Sequence, residues 1–281
     1  MLQKLTILGP GLLGGSIGMA VRQRKLAGRV VVWARRPEAG EQAVALGAAD
    51  EATHDLRRAV ADAEVVVLAT PIGVMRSLAE EIKFALRPEC IVTDVGSVKY
   101  DLVTQLAAVL PRFVGSHPMA GSEQAGIEAA RRDLFVNAAC LVTPTETTDR
   151  AALQWVHDFW QSLGGVVRTL SPQAHDEMVA RVSHLPHAVA AAVVNVVCRE
   201  DGQALNFVGP GFRDFTRIAG GPPAMWTEIC LENRHELSRS LDALMEELGR
   251  WRAALENRDA VELQALLKRA KHYRDELRFR S

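Results

Sequence analysis

Net charge is nearly absent: 33 Lys and Arg stand against 34 Asp and Glu, leaving −1 over 281 residues. A chain this balanced lacks the basic bias of a nucleic-acid footprint, and the short run Arg22, Arg24, Lys25 reads as the solvated end of a helix. Cysteine is scarce. Cys90, Cys140, Cys198 and Cys230 are far apart and form no CxxC pair, which excludes a zinc ribbon or a disulfide framework. Each stands in an apolar context, as a small buried hydrophobe does, and a reducing cytoplasm is the expected compartment. No uncharged run is long enough to span a bilayer. Residues 5–21 carry no charge, but they hold five glycines and lack a small-residue cleavage site with a polar start beyond it. The uncharged run 188–198 is shorter still. Neither nucleic acid nor a membrane is therefore an expected partner. Repeats, low-complexity tracts and long linkers are missing too.

What is present is an ordinary globular composition, 48% hydrophobic and 24% charged, at a length suited to one or two domains. Up to about residue 170, short apolar runs alternate with helical stretches. Strands are expected at 5–8, 30–33, 64–69, 90–94, from 113, at 139–142 and at 166–169. Helices are expected at 14–26, 37–46, 74–86, 98–110 and around 153–163. Strands apolar on both faces and alternating with helices predict a parallel sheet covered on both sides. After Ser171-Pro172 the alternation stops and the pattern becomes helical. Residues 185–197 are apolar all round, which predicts a buried helix, either in the core of a second domain or at a subunit interface. Residues 233–280 read as charged, amphipathic surface helices. The expected division is 1–170 and 171–281.

Gly9-Pro10-Gly11-Leu12-Leu13-Gly14 fits GxGxxG, directly after a predicted strand and at the opening of a helix, which is the context that motif requires. Gly9 suits the tight turn, Gly11 the close approach of a pyrophosphate, and Gly14 the packing of helix on strand, while the helix N-terminus receives negative charge. Leu12 and Leu13 open that helix. Thr70 and Pro71, just past the run 64–69, join the expected cofactor contacts. A site selective for NAD carries an acid at the end of the second strand. Here that place reads Trp33-Ala34-Arg35-Arg36, with no acid before Glu38. Arg35 and Arg36 would pair with a 2′-phosphate, so NADP is favoured over NAD, with dual use open.

Five segments stand in order: GPGLLGGS at 9–16, DVGSVK at 94–99, GSHPMAGSEQAG at 115–126, SHLPHAV at 183–189, and GFRDFTRIA at 211–219 followed by PPAMW. Together they span most of the chain, and in them it resembles the prephenate/arogenate dehydrogenase family. The resemblance implies an α/β Rossmann-like N-terminal domain plus an all-α C-terminal dimerisation domain, with the site between them. It implies oxidative decarboxylation of a cyclohexadienol, with hydride passing to the nicotinamide, in tyrosine biosynthesis. It makes His117 the catalytic histidine that accepts the hydroxyl hydrogen bond, and Ser97 a serine near the same hydroxyl. Ser97 has a second possible role in capping the helix expected from Val98. Arg217 matches the arginine that binds the substrate carboxylate, with Arg213 as the nearby competitor. His184 and His187, spaced i, i+3, face one way on a helix; without a third ligand or an HExxH motif a metal is not expected, and the resemblance places His187 near the substrate. Glu123 is expected beside the pocket, and either it or Asp214 is open as a partner for an ammonium group. Trp226 walls the ring or belongs to the core. A homodimer through the C-terminal helices is expected, with no appended regulatory domain.

Two other readings compete with this one. A β-hydroxyacid dehydrogenase or pyrroline-carboxylate-type reductase also joins a Rossmann domain to a helical one, but the first class needs a Lys on the long helix, and residues 174–198 contain none. A non-enzymatic sensor of NADP would leave His117, Ser97 and Arg217 without a shared task.

Overall fold

Among the described residues eight strands, most of them rich in Val, Ile and Leu, pair into one sheet, in the order β3-β2-β1-β4-β5-β6-β7-β8. In chain order the elements are β1 (Leu2–Leu8), α1 (Leu12–Gln23), β2 (Ala27–Trp33), α2 (Pro37–Ala45), β3 (Glu51–Thr53), α3 (Leu56–Val60), β4 (Val65–Leu68), α4 (Ile72–Ile82), β5 (Ile91–Asp94), α5 (Tyr100–Ala107), β6 (Phe113–Pro118), β7 (Ala139–Thr143), α6 (Arg150–Ser162) and β8 (Val166–Thr169). Then come α7 (Pro172–Val179), a π-helical turn (Ala180–His184), α8 (Leu185–Val197), α9 (Pro210–Thr216), α10 (Pro223–Glu232), α11 (Arg234–Glu256) and α12 (Ala260–Leu277). The structure, a computed structural model, describes residues 1–122, 124–199 and 203–277. Two compact units emerge, Met1–Asn233 and Arg234–Ser281.

The central strands have no polar face because both faces are covered. Leu5, Ile7, Val65 and Val67 feed one buried cluster, and Leu8, Val66, Leu68 and Val92 the other. Successive residues of a strand point to opposite faces, so a continuous apolar run serves both layers. The sheet is not wholly parallel, as the alternation implied. β7 runs antiparallel to β6, with His117 opposite Leu141, and β8 then lies parallel to β7. The cause lies in the connection. A parallel neighbour needs a crossover, usually a helix, whereas β6 leads into a loop with only a three-residue 3₁₀ turn, Ile127–Ala129. β3 and α3 were not expected, because three and five residues are too few to show a period.

Three other expectations change. The helix placed at 98–110 begins at Tyr100, and its N-terminus is capped from outside: Lys99 N and Tyr100 N donate to the Asp176 carboxylate at 2.8 Å each. Ser97 therefore does not cap it. α8 buries only His187 and Ala190, and Val196 is 61% exposed, so its all-round apolar surface is not core within the chain. Cys90 and Cys140 are buried, and burial pushes both thiols up to about 12, but Cys198 and Cys230 are only partly covered. All four are free thiols. In the second unit, α11 and α12 join through Arg250–Glu262 and Arg269–Glu247 ion pairs on a charged surface. Among the described residues no helix is long and apolar enough to cross a membrane.

Candidate active site

The first cleft opens at the carboxyl ends of β1 and β4, where the strand order reverses and α/β sheets place their ligands. Gly9 sits at φ +104°, where a Cβ would meet the Ala69 carbonyl oxygen at 2.7 Å. A Cβ on Gly14 would collide with the Gly9 carbonyl, so α1 packs this close to the turn only without one. At Gly11 nothing stands within 4 Å of an added Cβ, and that open space faces the cleft. Leu12 and Leu13, half-buried, form the first turn of α1, whose N-terminus has no side-chain cap and keeps its N–H groups for an anion.

The cavity there is about 600 Å³, and Gly9, Gly11, Arg35, Arg36, Thr70 and Pro71 are among its lining residues. Thr70 Oγ1 is buried with no hydrogen-bond partner among the described residues. A diphosphate-linked dinucleotide fits this chemistry, with N–H donors and an unpaired hydroxyl at one end and two guanidinium groups at the other. Glu128, which accepts from Gln42 Nε2 at 2.8 Å, adds a carboxylate to the lining.

The second pocket, about 340 Å³, is lined by Ser97, His117, Ser122, His184, Arg217 and Trp226, among others. One chain segment serves both cavities: His117–Ser122 border this pocket and Ala125–Glu128 border the first. Trp226 is a pocket wall, with His187 stacked behind it, ring centroids 3.5 Å apart and planes 11° from parallel. Arg213 is exposed on α9 and stands outside the lining, and Asp214 is exposed beside it. Glu123 lies outside the described residues.

His117 is buried at the end of β6. Its Nδ1 lies 2.9 Å from His175 Nε2, and His175 Nδ1 lies 2.7 Å from Asp176 Oδ1. Burial first, then the neighbouring His175, Lys99 and His184, hold His117 well below the usual histidine range, so it is neutral at pH 7. Burial likewise lowers His175, against the hydrogen bond to Asp176, and brings His184 to about 4. Asn233 Nδ2 meets His184 Nδ1 at 3.1 Å and donates to the Asp176 carbonyl at 2.9 Å.

Beneath the pocket is a fully buried ion pair, Lys99 Nζ to Asp94 Oδ2 at 2.6 Å. Lys99 also donates to the carbonyls of Gly96 at 2.6 Å and Val98 at 3.2 Å, so its three protons have three acceptors. Asp94 in turn accepts from Gly96 N at 2.7 Å and Ser116 N at 3.0 Å, the residues just before Ser97 and His117. One carboxylate therefore holds both backbone segments in place.

Sequence reasoning missed His175, Asp176, Asp94, Lys99 and Asn233. The signal for Asp94 and Lys99 was present in DVGSVK, since both charges flank the serine. His175 and Asp176 carried none, because an adjacent His-Asp at the start of a helix reads as solvated surface.

Residues 17–169 match the family model described as the prephenate dehydrogenase nucleotide-binding domain, and residues 171–269 match that of the prephenate dehydrogenase dimerization domain. Prephenate dehydrogenase of Bacillus subtilis is 34% identical over all of this chain and 77% of its own length. The crystal structure of prephenate dehydrogenase from Aquifex aeolicus, in complex with hydroxyphenyl propionate and NAD+, is 35% identical at a TM-score of 0.94 and covers 99% of both chains. Synechocystis arogenate dehydrogenase is 33% identical at a TM-score of 0.86, over 98% of this chain and 100% of that one. Matched along its length in sequence and in fold, the chain belongs to the prephenate dehydrogenase family and is a nicotinamide-dependent dehydrogenase.

Proposed function

We propose that this chain oxidises and decarboxylates prephenate, arogenate or both, giving 4-hydroxyphenylpyruvate or tyrosine, with His117 as the base. The observation that carries this reading is a neutral, buried imidazole in a pocket that also holds Ser97 and Arg217, on a segment that continues into the dinucleotide cleft. Arg217 binds the ring carboxylate, and a guanidinium fixes its orientation through paired hydrogen bonds. Ser97 orients the hydroxyl at the opposite end of the ring, and His117 takes its proton as the carbonyl forms. The bound cofactor supplies the acceptor for the hydride that leaves the same carbon. Loss of carbon dioxide then returns the carbon–carbon bonding pair to the ring, which becomes aromatic. His184 and Trp226 hold the rest of the substrate, with His187 acting through the Trp226 ring on which it stacks.

Gly9, Gly11, Leu12, Leu13 and Gly14 cradle the pyrophosphate, and Thr70 and Pro71 close the cleft from β4. Arg35 and Arg36 favour NADP over NAD, because two guanidinium groups outweigh the single carboxylate of Glu128 that lines the same cleft. The chain acts as a homodimer whose contact includes the exposed apolar residues of the helical half, Val196, Phe207 and Leu231 among them. We place the working division near residue 170, and the enzyme in the cytoplasm, where its free thiols suit a reducing medium.

The test is an initial-rate assay of the purified chain with prephenate or arogenate, each with NAD or NADP, following reduced nicotinamide. Turnover is expected, and its pattern decides both preferences. His117→Asn should lower kcat by about 10²–10⁴-fold while cofactor affinity holds. Wild-type turnover in that variant overturns the role of His117. A monomer by light scattering at micromolar concentration overturns the dimer.

A further inference from the structure

The array His117–His175–Asp176 has only one arrangement of protons that satisfies every contact. The Asp176 carboxylate accepts hydrogen bonds and gives none, and both of its oxygens are already engaged by Lys99 N and Tyr100 N. His175 Nδ1, 2.7 Å from Asp176 Oδ1, must therefore carry a proton. A neutral His175 then presents a bare Nε2 to His117 Nδ1 at 2.9 Å, and His117 Nδ1 must be the donor. That leaves His117 Nε2 without a proton. The opposite arrangement requires a doubly protonated His175. His175 is fully buried, and the groups around the pair are the Lys99 ammonium and Asp94 carboxylate below, Asp176 beside it and His184 from the π-helical turn. Burial and Lys99 both oppose a second proton there.

We propose that His175, backed by Asp176, is a positioning residue that fixes His117 in the Nδ1–H tautomer and so presents a bare Nε2 to the substrate hydroxyl. This rests on His117 being the base. As the reaction proceeds, the substrate O–H bond breaks and its electron pair forms the carbonyl as the hydride leaves. The proton forms a new bond to His117 Nε2. The resulting imidazolium keeps its Nδ1–H on His175, whose own Nδ1–H stays on Asp176, so the new charge faces an aligned pair of acceptors ending in a carboxylate. Asp176 cannot rotate away, because two backbone N–H groups at the start of α5 hold it. The segment that begins α5 thus sets the side chain that sets the base.

The direct test is a ring-nitrogen NMR spectrum of the whole protein, labelled with ¹⁵N-histidine and saturated with NADP+, with His117 assigned by its loss in His117→Asn. The expected spectrum has a proton on His117 Nδ1 and none on Nε2; the reverse overturns the proposal. Kinetics give a second, independent reading. His175→Gln keeps an acceptor for the Nδ1 proton and His175→Phe does not. His175→Phe should lose about 100-fold in kcat, with substrate KM and cofactor affinity nearly unchanged, and His175→Gln should recover much of that loss. Equal rates in the two variants, or a His175→Phe rate near wild type, overturn the proposal. If His175→Phe fails to fold, the wild-type spectrum still decides. An inactive His117→Asn beside a normal His175→Phe removes this inference alone; an active His117→Asn removes the catalytic assignment itself.

Discussion

Asn233 donates to Nδ1 of His184 at 3.1 Å, which requires that nitrogen to be unprotonated. Protonation would turn the acceptor into a donor and set two donors against each other in a buried place. The imidazole resists this, and its pKa falls from 6.5 to about 4 through burial. An unfolded chain restores the ordinary value. Between about pH 6.5 and pH 4 the unfolded state therefore binds more protons, and stability falls as the pH falls. The contribution is present above about pH 6.5 and is lost as the pH falls through about 4, a loss of about 3 kcal/mol at most from this residue. Urea denaturation from pH 4 to pH 7.5 should show that slope, and His184→Asn should flatten it. An unchanged slope in the variant would place the linkage elsewhere.

The activity profile has the same sign for a different reason. A base works only when deprotonated, and His117 is held well below 6.5 by its burial and by His175, Lys99 and His184. With saturating substrate, kcat should stay level as the pH passes down through 6.5 and decline only at more acid values. An acid limb centred at 6.5 or above would mean that the titrating base is a solvated histidine, not His117 in this pocket.

Arg217 and Arg213 lie one helical turn apart, yet only Arg217 borders the pocket. Arg217→Ala should raise substrate KM by about 10- to 100-fold, the range expected for losing hydrogen bonds to a charged group, with a smaller change in kcat. Arg213→Ala should stay within about threefold of wild type, as exposed substitutions usually do. A reversal of the two effects would exchange their roles.

At the far end of the dinucleotide cleft, Arg35→Ala with Arg36→Ala should lower kcat/KM for NADP at least about tenfold while leaving NAD within about threefold, because only NADP brings the charged phosphate that they pair with. An equal loss with both cofactors would show that the arginines meet a part the two molecules share.

The periodicity that was legible in the chain was the kind that burial imposes. β1, β4 and β5 are covered on both faces, and their apolar runs announce it. The turn at Gly9 shows because a left-handed φ and a crowded α1 leave few residues to choose from. The reversal at β7 does not show, since strand direction follows from the connection and β7 itself is as apolar as its neighbours. α8 kept two readings open for a related reason: an apolar surface looks the same whether it meets the chain's own core or lies open. Within the pocket, His117, Ser97 and Arg217 could be found because they sit in recognisable segments. The array behind His117 could not, because His175 and His117 come together only through the way α7 lies against α5 and the end of β6. A pairing made across 58 residues leaves no local pattern.

Lys99 and Asp94 test how far the site depends on what lies under it. The pair is wholly buried at 2.6 Å, and the Asp94 carboxylate also holds Gly96 N and Ser116 N. Lys99→Met removes one charge and leaves the other in a medium that cannot solvate it, which should cost about 3–5 kcal/mol of stability. Asp94→Asn combined with Lys99→Met removes both charges. It should be less destabilised than Lys99→Met alone, although the amide can replace only part of what the carboxylate accepts. Urea denaturation of the wild type and the two variants measures this ordering. The kinetic consequence should run differently. Asp94 ties down the residues just before Ser97 and His117, so the double variant should regain stability without regaining kcat. Recovery of both together would mean that the ion pair serves the fold alone and that the two pocket residues are held by something else.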